Sequence, residues 1–439
     1  MTFTHPEIKT AMPGPKGKEI IARDEAHMST SCYREYPLVI ERGEGVWVYD
    51  VDGNRHLDMM AGIATCATGH SHPEVVQAIK DQAEKFLHIC SMDFYFDLQA
   101  RYAERLTKIV PVKGDGHNRV FFANSGAEAW EGAIKLARYK TGRPNVICFY
   151  GAFHGRTQNG ISANASKFRQ RRKFGPLSSG FYHAFFPNGN ARDKTVPYTT
   201  EDCIAFIKNY LFDKVVSPDE VAAIAMEGIQ GEGGYIVPPK EFVQELRKLC
   251  DEHGIMLIAD EIQSGFGRTG KFLAMEHYGV QPDIVCLAKG IASGLPLSAF
   301  VANAKIMDWP VGVHGSTFGG NPVAMAAAEK TLELIIDGGM MDNAAKVGDA
   351  MLKRLNDMKA KYPVIGDVRG IGLMIGVEIV ENGTLSPKLR EKIILDSFAK
   401  GLLFLGCGTS TIRMCPPLMI THEQAMAALD IFEDILKSV

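Results

Sequence analysis

The 439-residue chain has no run approaching the roughly twenty consecutive apolar residues that a membrane helix needs. Its first ten residues, MTFTHPEIKT, lack the charged-then-apolar order of a secretory signal. A chain with no membrane anchor is expected. There is no Cys-x-x-Cys pair either: nine cysteines, an odd number, are scattered from Cys32 to Cys415, which argues for free thiols in a reducing compartment and fits the cytosol. Net charge is nearly absent, with 48 basic against 51 acidic residues giving −3, so there is no electrostatic case for nucleic acid. Low-complexity tracts and internal repeats are missing as well. Small-molecule chemistry is what remains.

At this length two or three folding units are expected around a large core. A composition of 46% hydrophobic and 23% charged residues excludes extensive disorder, although the first sixteen residues, with Pro6, Pro13 and Pro15, read as a loose arm. Residues 38–58 read as a β-meander that turns at Asp52-Gly53. Helical spacing then follows over Pro73–Phe86 and Phe96–Ile109, and Arg119–Ala123 reads as a short buried strand. Strand-like and helix-like runs alternate through Val146–Phe149, Ala222–Met226, Ile255–Ala259, Ile284–Leu287 and Leu297–Val301. That alternation predicts an α/β fold with a mainly parallel sheet and helices on both faces. After Asn321-Pro322, two long amphipathic helices, the alternating strand Gly372–Val380 and a last helix from Thr421 to Lys437 predict a smaller α+β domain. The expected division is 1–60 (arm and meander, part of the small domain), 61–325 (large domain) and 326–439 (small domain).

Chemistry concentrates where apolar strands end on charge. Ile255–Ala259 stops at Asp260-Glu261, and Ile284–Leu287 is followed by Ala288-Lys289-Gly290. Open α/β sheets bind ligands at the carboxyl ends of their strands, so both groups are expected in one crevice. A desolvated lysine has a lowered pKa and becomes the free amine that Schiff-base chemistry requires. Ser125-Gly126-Ala127-Glu128, opening a helix after a strand, is a capping box and, alternatively, an anion cradle of free backbone N–H groups. The Gly265-x-Gly267-x-x-Gly270 pattern matches a dinucleotide fingerprint only on paper, because four residues separate it from the strand end. Phe272 also stands where a P-loop needs Ser or Thr. Cys66, His70 and His72 have no fourth ligand in view, so no metal is expected.

Six motifs in order now carry a resemblance. They are Asn124-Ser125-Gly126-Ala127-Glu128-Ala129, Phe153-His154-Gly155-Arg156-Thr157, Gln230-Gly231-Glu232-Gly233-Gly234, Asp260-Glu261-Ile262-Gln263-Ser264-Gly265, Ala288-Lys289-Gly290 and Thr317-Phe318-Gly319-Gly320-Asn321-Pro322. From about residue 38 to 430 the chain resembles the class III (ω-type) aminotransferases, which use pyridoxal 5'-phosphate. The resemblance implies the fold type I architecture, with a seven-stranded type of sheet, and a homodimer or dimer of dimers with shared active sites. It implies Lys289 as the Schiff-base lysine (the internal aldimine) and proton carrier, and Asp260 as the partner of the pyridine nitrogen. Phe153 would stack on the ring, and Gln263 would reach the phenolic oxygen. Ser125, Gly126 and Ala127 would hold the phosphate with Thr317 of the neighbouring subunit. His154 and Glu232 would complete the cofactor surroundings. The substrate would meet Ile63, Arg156, Glu232 and Arg413, with Arg413 gripping an α-carboxylate or pairing with Glu232 by turns.

The implied reaction is ping-pong transfer of an amino group from 4-aminobutyrate, ornithine or acetylornithine to 2-oxoglutarate. Racemisation or epimerisation of an amino acid within the same family is the alternative. A nicotinamide-dependent dehydrogenase built on Gly265 is a remote one. Three departures stand out: Glu227-Gly228 in place of Glu-Pro, Trp130 in place of a smaller residue, and Met-Cys-Pro-Pro after Arg413.

Overall fold

A computed structural model describes residues 3–188 and 197–439. Its centre is a seven-stranded sheet in the order Asn118–Ala123, Ser298–Asn303, Ile284–Leu287, Met256–Asp260, Val221–Glu227, Asn145–Phe149, Phe181–Ala184. Only Ser298–Asn303 runs antiparallel to its neighbours; every other pairing is parallel. The inner strands read as unbroken apolar runs because both faces are covered. Side chains alternate between those faces, as the two-residue period of a strand demands. Ile147, Phe149, Ile224, Met226, Leu257 and Val285 pack with helices Lys240–His253 and Pro322–Ile336. Val146, Cys148, Ala223, Ala225, Ile258 and Cys286 pack with helix Gly126–Thr141. Helix Lys240–His253 stops at Gly254, whose φ of 62° is the left-handed conformation that a glycine C-cap adopts without penalty.

Two further sheets flank this core. The meander Ile40–Glu44, Trp47–Asp50, Arg55–Asp58 is joined by Leu402–Leu403, parallel to its third strand, so the two ends of the chain share one sheet. Ile365–Ile371, Met374–Glu381, Thr411–Met414 and Leu405–Cys407 form an antiparallel sheet with helices Met340–Lys361, Pro387–Ala399 and His422–Leu436 packed around it.

Two expectations need correction. The loose arm is pinned from Phe3 onward: Glu7 pairs with Arg55 across backbone hydrogen bonds, the Asn54 side-chain oxygen accepts from the Lys9 and Thr10 N–H groups, and a helix begins at Pro15. Residues 1 and 2 of that arm lie outside the described residues. Nor does Met374–Glu381 alternate. Seven of its eight residues are buried, because Tyr235 covers the face opposite the helices at Gly376.

Helix Met340–Lys361 crosses the turn before that strand with backbone against backbone. A Cβ on Gly348 would lie 2.2 Å from the Gly372 carbonyl oxygen, and neither chain segment can swing aside as a side chain would. Gly348→Ala should therefore cost about 1–3 kcal/mol of stability, seen as a lower urea midpoint at unchanged slope.

Candidate active site

Strand register brings the charged ends together. Glu227 sits opposite Asp260, Asp260 opposite Cys286, and Lys289 follows two residues after Leu287. All open on a cavity of about 320 Å³ at the carboxyl edge of the sheet, within the size range of small-molecule sites. Ser125, Gly126, Ala127, Phe153, His154, Asp260, Gln263 and Lys289 line it, together with Thr65, Glu227 and Leu295–Leu297.

Lys289 stands in the left-handed region at φ 46°, uncommon for any residue with a Cβ and a mark of a backbone held under strain. Burial, and then the positive charge of Arg413, lower its pKa to about 8, against the opposing pull of Asp260. Asp260 is buried; one carboxylate oxygen accepts from His154 Nδ1 at 2.7 Å and the other from the Ile262 N–H at 3.1 Å. Glu227 and Glu261 are both pushed up to about 7, chiefly by burial. Glu227 accepts from the N–H groups of Phe153 and Gly231; Glu261 accepts from Ser264 Oγ and the N–H groups of Ala274 and Met275.

The two readings of Ser125 coexist. The capping box forms, with Ser125 Oγ accepting from the Glu128 N–H and the Glu128 carboxylate accepting from the Asn124 and Ser125 N–H groups. Beyond it the helix presents Gly126 and Ala127 to the cavity. A Cβ on Gly126 would meet Ile262 Cγ2 at 2.9 Å, so the bare α-carbon is required for this approach. Gln263 Oε1 accepts from the Tyr235 hydroxyl at 2.9 Å, which leaves its amide N–H₂ group for the cavity it lines.

Five expected residues lie outside this lining. Glu232 is shared: Lys167 Nζ lies 2.5 Å from one oxygen and Arg413 Nη1 3.3 Å from the other. Burial opposes its ionisation, yet Arg413 and Lys167 hold it below the usual carboxylate range. The pair is within electrostatic reach of the cavity, since Arg413 shifts Lys289 and Lys289 shifts Glu232. Ile63 belongs to a left-handed turn, Ala61–Ala64, with φ between 49° and 65°. Each residue there with a Cβ, namely Ala61, Ile63 and Ala64, costs roughly 1–2 kcal/mol, whereas Gly62 does not. Asp58 holds the turn, accepting from the Met60 and Ala61 N–H groups and, through its other oxygen, from His70 Nε2 at 2.7 Å. His70 is thereby paired with Asp58. Arg156 and Thr317 are exposed, the former 5.5 Å over the Phe153 ring.

Gly265–Gly270 does not cradle a ligand. Cβ atoms on Gly265 and Gly270 would strike the Glu261 carbonyl and Ala345, and the buried Arg268 between them donates to the carbonyls of Leu373 and Pro416. The residues missed in the sequence are Lys167, the cavity-facing Glu227, Tyr235 behind Gln263, and Asp58. Of these, Tyr235 stood next to Gly233-Gly234, and Glu227 stood in the Glu227-Gly228 departure without its place in the cavity being read.

Pyridoxal phosphate fits these donors. An amine poised near neutrality, a buried carboxylate held on its other side by a histidine, an aromatic wall at Phe153 and bare N–H groups at a helix start are the four features that its aldehyde, ring nitrogen, ring face and phosphate require.

Comparison with known proteins agrees. The family model described as aminotransferase class-III matches residues 28–436. An alanine/serine racemase of Pyrococcus horikoshii is 40% identical over 443 residues, covering 99% of this chain and 93% of the relative. A 4-aminobutyrate aminotransferase of Mycobacterium tuberculosis is 40% identical over 440 residues, covering 98% and 97%. The solved taurine:2-oxoglutarate aminotransferase of Bifidobacterium kashiwanohense, in complex with pyridoxal phosphate and glutamate, superposes with a TM-score of 0.89 at 30% identity, covering 98% of this chain and 99% of that one.

The lowered pKa of Lys289 has a kinetic signature. In apoenzyme, uptake of pyridoxal phosphate should accelerate roughly tenfold per pH unit up to about 8 and level off above it. Arg413→Gln removes a charge that disfavours the ammonium, so the plateau should begin at higher pH; stopped-flow absorbance measures both.

Proposed function

This chain belongs to the class III aminotransferase family and is a pyridoxal-phosphate-dependent aminotransferase acting on amino acids and oxoacids; we propose that it moves the amino group of an ω-amino or diamino acid to 2-oxoglutarate by ping-pong turnover. The carrying observation is the Lys167–Glu232–Arg413 triad. Two substrates whose carboxylates stand at different distances from the amine must enter one site in turn. An arginine already paired with a carboxylate serves both: with an α-carboxylate present it forms a bidentate fork, and with an ω-amine present it returns to Glu232. Lys167 keeps Glu232 charge-balanced in either arrangement. The names of the 4-aminobutyrate and taurine:2-oxoglutarate relatives support the donor class and the acceptor.

When bound, pyridoxal phosphate supplies an aldehyde for the incoming amine and a ring that draws electron density from the substrate carbon. Lys289 Nζ would carry the proton from that carbon, since among the described residues lining the cavity it is the only amine. Asp260, steadied by His154, holds a proton at the ring nitrogen. Gln263 would donate to the phenolic oxygen, Phe153 would cover a ring face, and Ser125, Gly126 and Ala127 would hold the phosphate. Ile63 and Arg156 border the substrate.

A homodimer completes the site. Exposed Leu87, Phe94, Tyr95 and Phe318 form one apolar surface, because residues 87–91 bond to 319–321 and His88 packs on Phe318. A second copy laid on it would bury that surface and bring its own Thr317 to the phosphate.

A second reading, racemisation, is favoured by the Pyrococcus relative covering 99% of this chain. Single enantiomers incubated in deuterated water without an oxoacid distinguish the two: aminotransfer predicts no inversion, racemisation predicts deuterium incorporation with inversion.

Glu232→Gln should weaken the ω-amino half-reaction about tenfold or more while sparing the 2-oxoglutarate half. Arg413→Ala should cost on the order of 2–5 kcal/mol in kcat/KM for 2-oxoglutarate. Single-turnover spectroscopy of each half-reaction reads both, and equal losses in the two halves would refute the switch. Asp260→Ala, which strands a buried charge, should lose ~3–5 kcal/mol of transition-state stabilisation, measured as kcat/KM.

A further inference from the structure

Trp130, where the resemblance leads one to expect a smaller residue, lies one turn into the helix whose first residues face the cavity. It is fully buried. Its indole lies flat on the imidazole of His154, with ring centroids 3.8 Å apart and planes within 1°. That imidazole donates Nδ1–H to Asp260 at 2.7 Å, while its Nε2 is buried with no hydrogen-bond partner, as is Trp130 Nε1. The backbone of His154 is fixed separately, its N–H donating to Asn164 Oδ1 and the Asn164 amide donating to the Gly155 carbonyl.

The imidazole therefore has a single hydrogen bond. One bond fixes the position of Nδ1 and leaves the ring free to swing about it. A second polar partner at Nε2 would ordinarily remove that freedom; among the described residues none is present, and the flat face of Trp130 lies against the ring instead. We propose that Trp130 is a positioning residue for the reaction: by stacking on His154 it holds the ring in the plane that aims Nδ1–H at Asp260, and so sets how strongly Asp260 retains a proton at the cofactor's ring nitrogen. This rests on the reading above that Asp260 faces that nitrogen. The same helix thus serves the site twice, its start facing the phosphate and its next turn acting through His154 on the opposite end of the ring.

The test compares Trp130→Phe, which keeps a flat face, with Trp130→Leu, which keeps apolar volume without one. In apoenzyme, ¹⁵N signals of the His154 ring report which nitrogen carries the proton. Wild type and Trp130→Phe should show the proton on Nδ1, and Trp130→Leu a mixture of the two tautomers. In holoenzyme, Trp130→Leu should lower kcat about tenfold with KM for the amino donor nearly unchanged, as expected when alignment is lost beside the reacting centre. It should also displace the pH titration of the visible cofactor band, and Trp130→Phe should restore both. If Trp130→Leu lowers only the melting temperature, with His154 tautomer and band titration unmoved, Trp130 is packing alone and the proposal is overturned. Asp260→Asn is the control for the underlying reading. Should it leave the band titration unmoved, the placement of Asp260 fails; should it move the titration while Trp130→Leu does not, this inference fails by itself.

Discussion

Everything in this site depends on holding the pKa of one buried amine well below that of a free lysine, at about 8, among buried charges. Lys289 loses hydration, which disfavours its ammonium form, and Arg413 adds a like charge that pushes the same way; Asp260 pulls back. Neither removal of water nor proximity to a cation alone sets the balance, because an unopposed buried carboxylate would return the amine to its ammonium form. The site therefore needs Asp260 to be committed elsewhere, and it is: both its oxygens accept hydrogen bonds, one from a histidine and one from the backbone. A carboxylate so engaged pulls on Lys289 less than a bare one would.

The cost of placing that many ionisable groups in one interior is met by the sheet edge. Parallel strands end together, and the loops after them begin with N–H groups that the sheet no longer uses. Glu227 and Glu261 take such groups from Phe153, Gly231, Ala274 and Met275. Unpaired buried carboxylates would cost several kcal/mol each. Here Phe153, which lines the cavity, is also one of the donors to Glu227, so part of the wall and the charge cluster stabilise each other. The departure at Gly228 belongs to this arrangement. Its carbonyl accepts from the Tyr278 hydroxyl, and a Cβ there would meet Ala274 at 2.9 Å, so the residue after Glu227 has no room for a larger ring.

The central sheet was legible because its strands are doubly covered and so appear as uninterrupted apolar runs ending on charge. The crevice holding Asp260 and Lys289 followed from that alone. Phe181–Ala184 was not legible, since as an edge strand of four residues it carries too short a pattern to separate from a loop. Pro387–Ala399 escaped for another reason: its apolar positions are spread around the helix, giving no single stripe to recognise. Within the site, motif residues were readable by type and spacing, whereas Lys167 acts across a long sequence separation and Asp58, though its partners are local, belongs to no motif. Lys167 meets Glu232 from 65 residues away, and its neighbours form a basic run that carries no sign of that contact.

The shared carboxylate of Glu232 shows why such a residue has to be found in space. Arg413 is buried, and without a partner it would carry an uncompensated charge beside Lys289. Glu232 alone would neutralise it but would itself be stranded whenever Arg413 turned to a substrate carboxylate. With Lys167 on its second oxygen, Glu232 would keep a cation in both arrangements, so the proposed swing of Arg413 would exchange one anion for another and leave no buried charge unpaired. An exchange of near-equal partners has a small free-energy difference between its two positions, and that is the condition under which substrate identity alone decides which position is occupied.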